Sequence, residues 1–393
     1  MSYSKETFNQ LLMMAVKNGV SDIHLRTGEK PFFRVKGNLK AIKAAPITEE
    51  DMLLFCKIMI KEKEVLERID TLTEYDGSYQ YKNLCRVRVN LLKFQGRFAF
   101  ILRVINMKIP TIDELGLPGG CREIAKAKRG LVLVTGVTGS GKSSTLAAML
   151  DEINSTREEH ILTIEDPVEF LFTSKKCRIT QREMGSDTMS FKEALRGALR
   201  QDPDIIVIGE LRDAETIQIA MKAAETGHLV FGTVHTTNAL TTINRVVSMF
   251  PPEEQNNVKG RLSDCLYATI SQRLLPTQDG KGRVVAQEIM TTSPGIKESI
   301  SGKVPLSEMY ILIEKAKRDG VMQSFDQHLT DLYKAGILSF DVAKEAATSP
   351  TNFERNLQFG SSGDDDDDSG QKTSDKTSNP DLPAEESLEL DLD

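Results

Sequence analysis

Four short apolar runs set the rhythm of this chain: Leu131–Thr135, His160–Glu165, Ile205–Ile208 and Leu229–Val234. Each is brief and rich in β-branched residues, as a strand buried on both faces should be. Between them apolar residues recur at helical spacing, in Phe191/Ala194/Leu195/Ala198/Leu199 and in Ile217/Ala220/Met221/Ala224. Such a stripe covers one side of a helix. Alternating strands and helices predict a mostly parallel sheet covered on both faces, an α/β domain spanning 121–359. Its part beyond Phe250 reads as mainly helical.

A smaller α/β domain is expected over residues 1–108. Phe8, Leu11, Leu12, Ala15 and Val16 form a helical stripe, and short strands are expected around Ile23–Leu25 and Phe32–Val35. Thr48 opens a T-x-x-D capping signal, with Met52, Phe55, Cys56 and Met59 following at helical spacing. A hairpin with Lys93–Gly96 as its loop would put Cys85, Val87, Val89 and Leu91 on the same face as Phe98, Phe100, Leu102 and Val104. The opposite face then gathers Arg86, Arg88 and Arg103. Residues 109–120, with Pro110, Pro118 and a glycine pair, read as a linker.

Composition changes this picture in one place. From Ser361 to Asp393 there are twelve acidic and two basic residues, so the net charge of −7 divides into −10 for this stretch and +3 for the remainder. The stretch 360–393 has too little apolar surface to offset its ordering entropy and is expected to be a disordered acidic tail. A near-neutral body argues against nucleic-acid binding on charge alone. The five cysteines are scattered without a C-x-x-C pair, which disfavours a disulfide framework or a four-cysteine zinc site. No apolar run reaches the length of a membrane span, and the N-terminus lacks a signal peptide's pattern, so a cytoplasmic location is expected.

The chemistry sits where the strands end. Leu131–Thr135 runs into TGVTGSGKSST, in which Gly136, Gly141, Lys142 and Ser143 fill the fixed positions of the G-x-x-x-x-G-K-[ST] phosphate loop. Glycines let backbone N–H groups turn inward around phosphates, at the positive end of the helix that follows. Lys142 can reach the β- and γ-phosphates, and Ser143 can ligate Mg²⁺. The nucleotide-contacting stretch is Gly136, Val137, Thr138, Gly139, Ser140, Gly141, Lys142, Ser143 and Ser144. The chain is therefore expected to bind ATP.

The next strands end in Glu165-Asp166-Pro167, in Gly209-Glu210 and in His235. Ligands of open α/β sheets lie beyond such carboxyl ends. Gly209 stands where an aspartate usually holds Mg²⁺, which leaves Ser143 and Glu210 to organise the ion, partly through water. Hydrolysis also needs a carboxylate to orient or deprotonate water, and spacing alone leaves Glu165 and Glu210 in competition for that role.

TGVTGSGKSST, ILTIEDPVEF, LRQDPDIIVIGELRD and AAETGHLVFGTVHT resemble, in order, the Walker A, Asp-box, Walker B and His-box motifs of the secretion ATPase superfamily. The resemblance covers about residues 3–355. It implies a PAS-like N-terminal domain, a RecA-like P-loop motor and a homohexameric ring. It also implies that Glu165 is the catalytic base, that Glu210 supports the Mg²⁺ site, and that His235 senses the γ-phosphate with His228 supporting its box. A glycine before the Walker B glutamate is usual there. Arg88 and Arg103 match positions that reach a neighbouring subunit's nucleotide.

SDIHL and PFFRVKGNL lie almost at the N-terminus, and there is no four-cysteine zinc insert, so the chain resembles the branch that retracts type IV pili and drives twitching motility. Such a motor would dock peripherally on the pilus platform at the cytoplasmic face of the inner membrane, beside a paralogous retraction ATPase. One departure stands out: an AIRNLIRE-like segment is expected where Gly295-Ile296-Lys297-Glu298-Ser299-Ile300-Ser301 occurs. That keeps open an auxiliary retraction paralogue, beside a pilus-assembly or type II secretion ATPase. A RecA-like nucleic-acid translocase would share the loop but should show basic or aromatic strand-binding loops.

Overall fold

Ser4 starts the first helix, Lys5–Lys17, by accepting the Thr7 amide at 3.2 Å, and the predicted stripe Phe8, Leu11, Leu12 and Ala15 is buried. Helix Glu49–Met59 starts on a full capping box, in which Thr48 and Asp51 each accept the other's backbone amide. In this computed structural model, which describes residues 3–35, 37–82, 84–106 and 108–360, the two helices belong to a first unit that includes the chain up to Ile105. Of the expected acidic tail, 361–393 lies outside the described residues.

The first unit's sheet has six strands: β1 (Val20–Arg26), β2 (Phe32–Val35), β3 (Asn38–Ala41), β4 (Glu74–Tyr81), β5 (Cys85–Phe94) and β6 (Arg97–Asn106). Their order is β3-β2-β1-β6-β5-β4. Cys85, Val87, Val89, Leu91, Phe100 and Leu102 face one core with the helical stripes, as the alternation requires. The hairpin loop is shorter than expected. It is Gln95-Gly96, not Lys93–Gly96, and both residues have positive φ, 49° and 78°. That is the backbone of a two-residue hairpin turn. Gln at its first position hides it, because Asn or Asp is the usual signal. Arg88 and Arg103 stand equally far from this turn on adjacent strands. Arg103 Nε also bonds Asp22 Oδ1 at 3.1 Å.

Asn106–Leu357 forms the second unit. Its strands are β7 (Gly130–Thr135), β8 (His160–Glu165), β9 (Arg178–Glu183), β10 (Ile205–Ile208), β11 (Leu229–Val234), β12 (Leu266–Pro276) and β13 (Arg283–Thr291), in the order β13-β12-β7-β11-β10-β8-β9. Described neighbours pair in parallel except β12 with β13. Alternate residues serve two cores. Leu131, Leu133, Ile206 and Ile208 pack with helices Phe191–Ala198, Ala214–Glu225 and Ala239–Ser248, whereas Val132, Val134, Ile205 and Val207 pack with Gly119–Ala125 and Lys142–Thr156. Ile112 and Leu117, in the stretch read as a linker, join the second of these cores.

The region beyond Phe250 is mainly helical, as expected, but two strands interrupt it. It contributes β12 and β13, whose pairing sets Ser271 opposite Glu288 and Gln272 opposite Gln287, all buried. Polar residues in the middle of both strands interrupt the apolar run that marks the other buried strands. Helices resume from Pro294, around a small core that includes Phe325, Leu329 and Phe353. In helix Pro294–Ser301, Ile296, Ser299 and Ile300 are buried, while Lys297 and Glu298 are exposed. The unusual segment therefore differs both on its exposed side, at Lys297 and Glu298, and inside, where Ser299 is buried.

Candidate nucleotide-binding site

The glycine loop leaves the carboxyl end of β7, and helix Lys142–Thr156 begins on Gly141. Gly136 and Gly141 have φ of 149° and 88°, which disfavours side chains. At Gly136 a Cβ would also lie 2.4 Å from Ser140 Oγ and 2.6 Å from the Gln272 carbonyl. The loop's fold thus depends on glycine at both ends. Lys142 Nζ donates to the carbonyls of Gly136 at 2.9 Å and Val137 at 3.1 Å, inside the curve of the loop. Burial pulls its pKa down, and the negative charges of Glu210 and Glu169 oppose that pull. From β12, Gln272 Nε2 donates to the Ser140 carbonyl at 2.7 Å and braces the loop from behind.

A cavity of about 580 Å³ opens in front of the loop, a size suited to a nucleotide. Thr138, Gly139, Gly141, Lys142, Ser143 and Ser144 form one wall. Glu165, Glu210 and His235 arrive from the ends of β8, β10 and β11, so the predicted strand-end residues converge. Leu150, Phe172 and Leu274 supply an apolar side.

The two glutamates differ in electrostatics. Burial pushes the Glu165 carboxyl up, against hydrogen bonds to Oε1 from Thr163 at 2.6 Å and Gln181 at 3.1 Å. Glu210 is held below the usual carboxylate range, first by its hydrogen bond from Arg212 at 2.7 Å and further by Arg212's charge and by His235, whose Nε2 lies 3.4 Å away. Gly209 explains itself sterically: a Cβ there would lie 3.2 Å from both Glu165 Cα and the Ile164 carbonyl.

His228 does not enter the cavity. It precedes β11, whereas His235 follows it, and its Nδ1 lies 3.0 Å from the Ala223 carbonyl. At about 3.3 Å per residue, β11 places it on the far edge of the sheet. Arg88 and Arg103 belong to the first unit. Sequence reasoning missed Asp166, Glu169, Arg212 and Arg283, which line the cavity, and Gln181, which holds Glu165. Asp166 and Arg212 lay inside recognised motifs. Gln181 and Arg283 lie on strands whose pattern gave no signal.

The residues fit a nucleoside triphosphate with a divalent ion: a glycine cradle, an inward lysine, and a serine and carboxylate as hard oxygen donors. A strand, glycine loop and helix, with acids at neighbouring strand ends of a mostly parallel sheet, define a P-loop nucleotide-binding protein. The chain matches the type II/IV secretion system protein family over residues 2–348, and it belongs to that family. It is 44% identical over 344 residues to the Type IV pilus retractation ATPase PilT of Pseudomonas aeruginosa, an alignment covering 88% of this chain and 99% of that protein. It is 35% identical to the Type IV pilus ATPase PilU of the same organism, covering 91% and 93%. Among solved structures, that of the pilus retraction motor PilT with bound ADP superposes with a TM-score of 0.80 at 42% identity, covering 88% of this chain and 98% of that one.

Proposed function

We propose that this chain is a Mg²⁺-dependent ATPase that powers type IV pilus retraction and twitching motility, working as a homohexamer. The observation that carries this reading is the convergence of the glycine loop, Glu165 and Glu210 on one cavity, in a chain 44% identical to a PilT from end to end of that relative. In the same reading, 1–108 is a PAS-like domain and 121–359 a RecA-like motor.

Backbone N–H groups of 136–144 and the Lys142 ammonium hold the phosphates. Ser143 and Glu210 would hold Mg²⁺, whose charge would offset the negative charge of the transferring phosphate. Glu165 orients the attacking water and takes its proton. Burial suits it to that task, since a raised carboxyl is a better proton acceptor. His235, already near Glu210, reports on the γ-phosphate, and His228 steadies the start of β11 behind it. Arg88 and Arg103 reach the nucleotide of the next subunit in the ring and neutralise its transferring phosphate.

The ring docks on the inner-membrane pilus platform from the cytoplasm, and nucleic acid is not its partner. No helix among the described residues is long and apolar enough to cross a membrane. Identity of 44% to PilT against 35% to PilU favours the primary retraction motor over the auxiliary paralogue. A clean in-frame deletion tests the direction of work. Cells should keep normal or excess surface pili and lose twitching. Bald cells, restored by complementation, would overturn retraction in favour of assembly.

A further inference from the structure

Thr163, Glu165 and Gln181 share one face of the sheet. β8 and β9 run parallel with Thr163 opposite Gln181 and Glu165 opposite Glu183, and strand alternation puts 163, 165 and 181 on the same side. Both side-chain donors to Glu165, the Thr163 hydroxyl and the Gln181 amide, converge on Oε1. The Gln181 amide is fully committed. Its Nε2 also donates to the Phe170 carbonyl at 2.9 Å, and its Oε1 accepts the Phe172 amide at 2.9 Å. Turning the amide over would set N–H against N–H at Phe172 and oxygen against oxygen at Glu165 and Phe170, so its sense is fixed. Asp166, Glu169, Phe170 and Phe172, on the segment it grips, all line the cavity.

We infer that Gln181 is a positioning residue for hydrolysis, aiming the Glu165 carboxylate and locking it to the Asp166–Phe172 wall of the nucleotide cavity. This rests on the reading of Glu165 as the base. A neutral donor is required at 181. A carboxylate in its place would offer an acceptor to Glu165 and to Phe170, and would set two like charges about 3 Å apart, where one keeps its proton. The other charged and titratable groups facing this cavity are Lys142, Asp166, Glu169, Glu210, Arg212, His235 and Arg283, and Glu183 stands beside Glu165 on the neighbouring strand. Gln181→Glu leaves all of them unchanged.

The experiment is single-turnover ATP hydrolysis from pH 5.5 to 9 on the full chain, with thermal melts and affinity for a non-hydrolysable ATP analogue as controls. Gln181→Leu should slow hydrolysis by about tenfold to a hundredfold, the scale of a misplaced catalytic group, with analogue affinity retained. The near-isosteric Gln181→Glu should move the acidic limb of the profile upward by at least one pH unit, which loss of packing alone would not do. An acidic limb within a few tenths of a unit of the parent in Gln181→Glu, or a parental rate in Gln181→Leu, overturns the inference. Glu165→Gln, run beside them, should lose about 10²- to 10⁴-fold in rate. If that variant hydrolyses normally, the base assignment falls. If it collapses while both Gln181 variants behave as the parent, only the positioning role falls.

Discussion

Gly209→Asp would install the aspartate that most Walker B strands carry, and in this chain it should do harm. The side chain must grow toward β8, where its first atom would lie 3.2 Å from Glu165 Cα and from the Ile164 carbonyl. Both are backbone atoms of β8, which is held between β10 and β9, so β8 or β10 has to yield by a few tenths of an ångström. Overpacking of this kind costs about 1–3 kcal/mol, or roughly 2–10 °C of melting temperature in a domain of this size. The catalytic effect follows from the same displacement. Glu165 is carried on the Cα being pushed. If a 1 Å error costs about 100-fold, a few tenths cost about three- to tenfold in rate. Gly209→Ala, which shares the clash without the charge, separates the causes: it should show most of the loss, and Asp slightly more. Steady-state hydrolysis and thermal melts on both variants decide the matter. A Gly209→Asp protein as fast and as stable as the parent would refute the steric account.

Subunit mixing tests the arginines. Arg88→Ala/Arg103→Ala protein and Lys142→Ala protein should each be inactive, and their mixture should regain hydrolysis, because some interfaces then pair two intact halves; no recovery in demonstrably mixed rings would contradict a shared site. Glu288 on β13 accepts the Ala239 amide at 2.7 Å, at the head of helix Ala239–Ser248, and burial pushes its carboxyl up to about 7 from 4.5. The folded chain therefore keeps a proton that the unfolded chain has released, so this group's contribution to stability falls as pH rises from about 4.5 to 7. Glu288→Gln should remove that slope and gain on the order of 2 kcal/mol on the parent between pH 5 and 8, read as melting temperature against pH. Parallel pH curves for the two proteins would remove Glu288 from the account.

The site's position was legible in the sequence because its chemistry follows short, mainly apolar, β-branched strands. Four short, mainly apolar strands announced themselves despite Thr163 in one and Gly232 and Thr233 in another, and what followed each was a loop or a lone acid or histidine. The second unit's remaining strands were illegible for a reason tied to function. β9 carries Gln181, and β12 and β13 carry Gln272, Gln287 and Glu288, polar groups whose bonds brace the loop, the base and the helix after His235. Each breaks the run by which a buried strand is recognised. His228 shows the converse limit: one motif held two histidines, and only the strand between them showed that they face opposite edges of the sheet. The two-residue hairpin turn was hidden by Gln95, an unusual residue for a left-handed backbone.

Gln272 does more than brace the glycine loop, because its amide is one link in a directional series. The Cys121 thiol donates to Gln287 Oε1 at 3.2 Å, Gln287 Nε2 to Gln272 Oε1 at 3.4 Å, and Gln272 Nε2 to the Ser140 carbonyl at 2.7 Å. Every member gives a proton toward the loop, and the series ends on a backbone carbonyl that can only accept. Polarity is therefore set by its last member and read backward to a cysteine at the other end. Reversing Gln272 would bring like against like at both of its contacts, and reversing Gln287 would do so at Gln272, so the two amides are oriented together. A substitution at Cys121 that could only accept would be felt at Ser140, three hydrogen bonds away, as a contest over which way the whole series points.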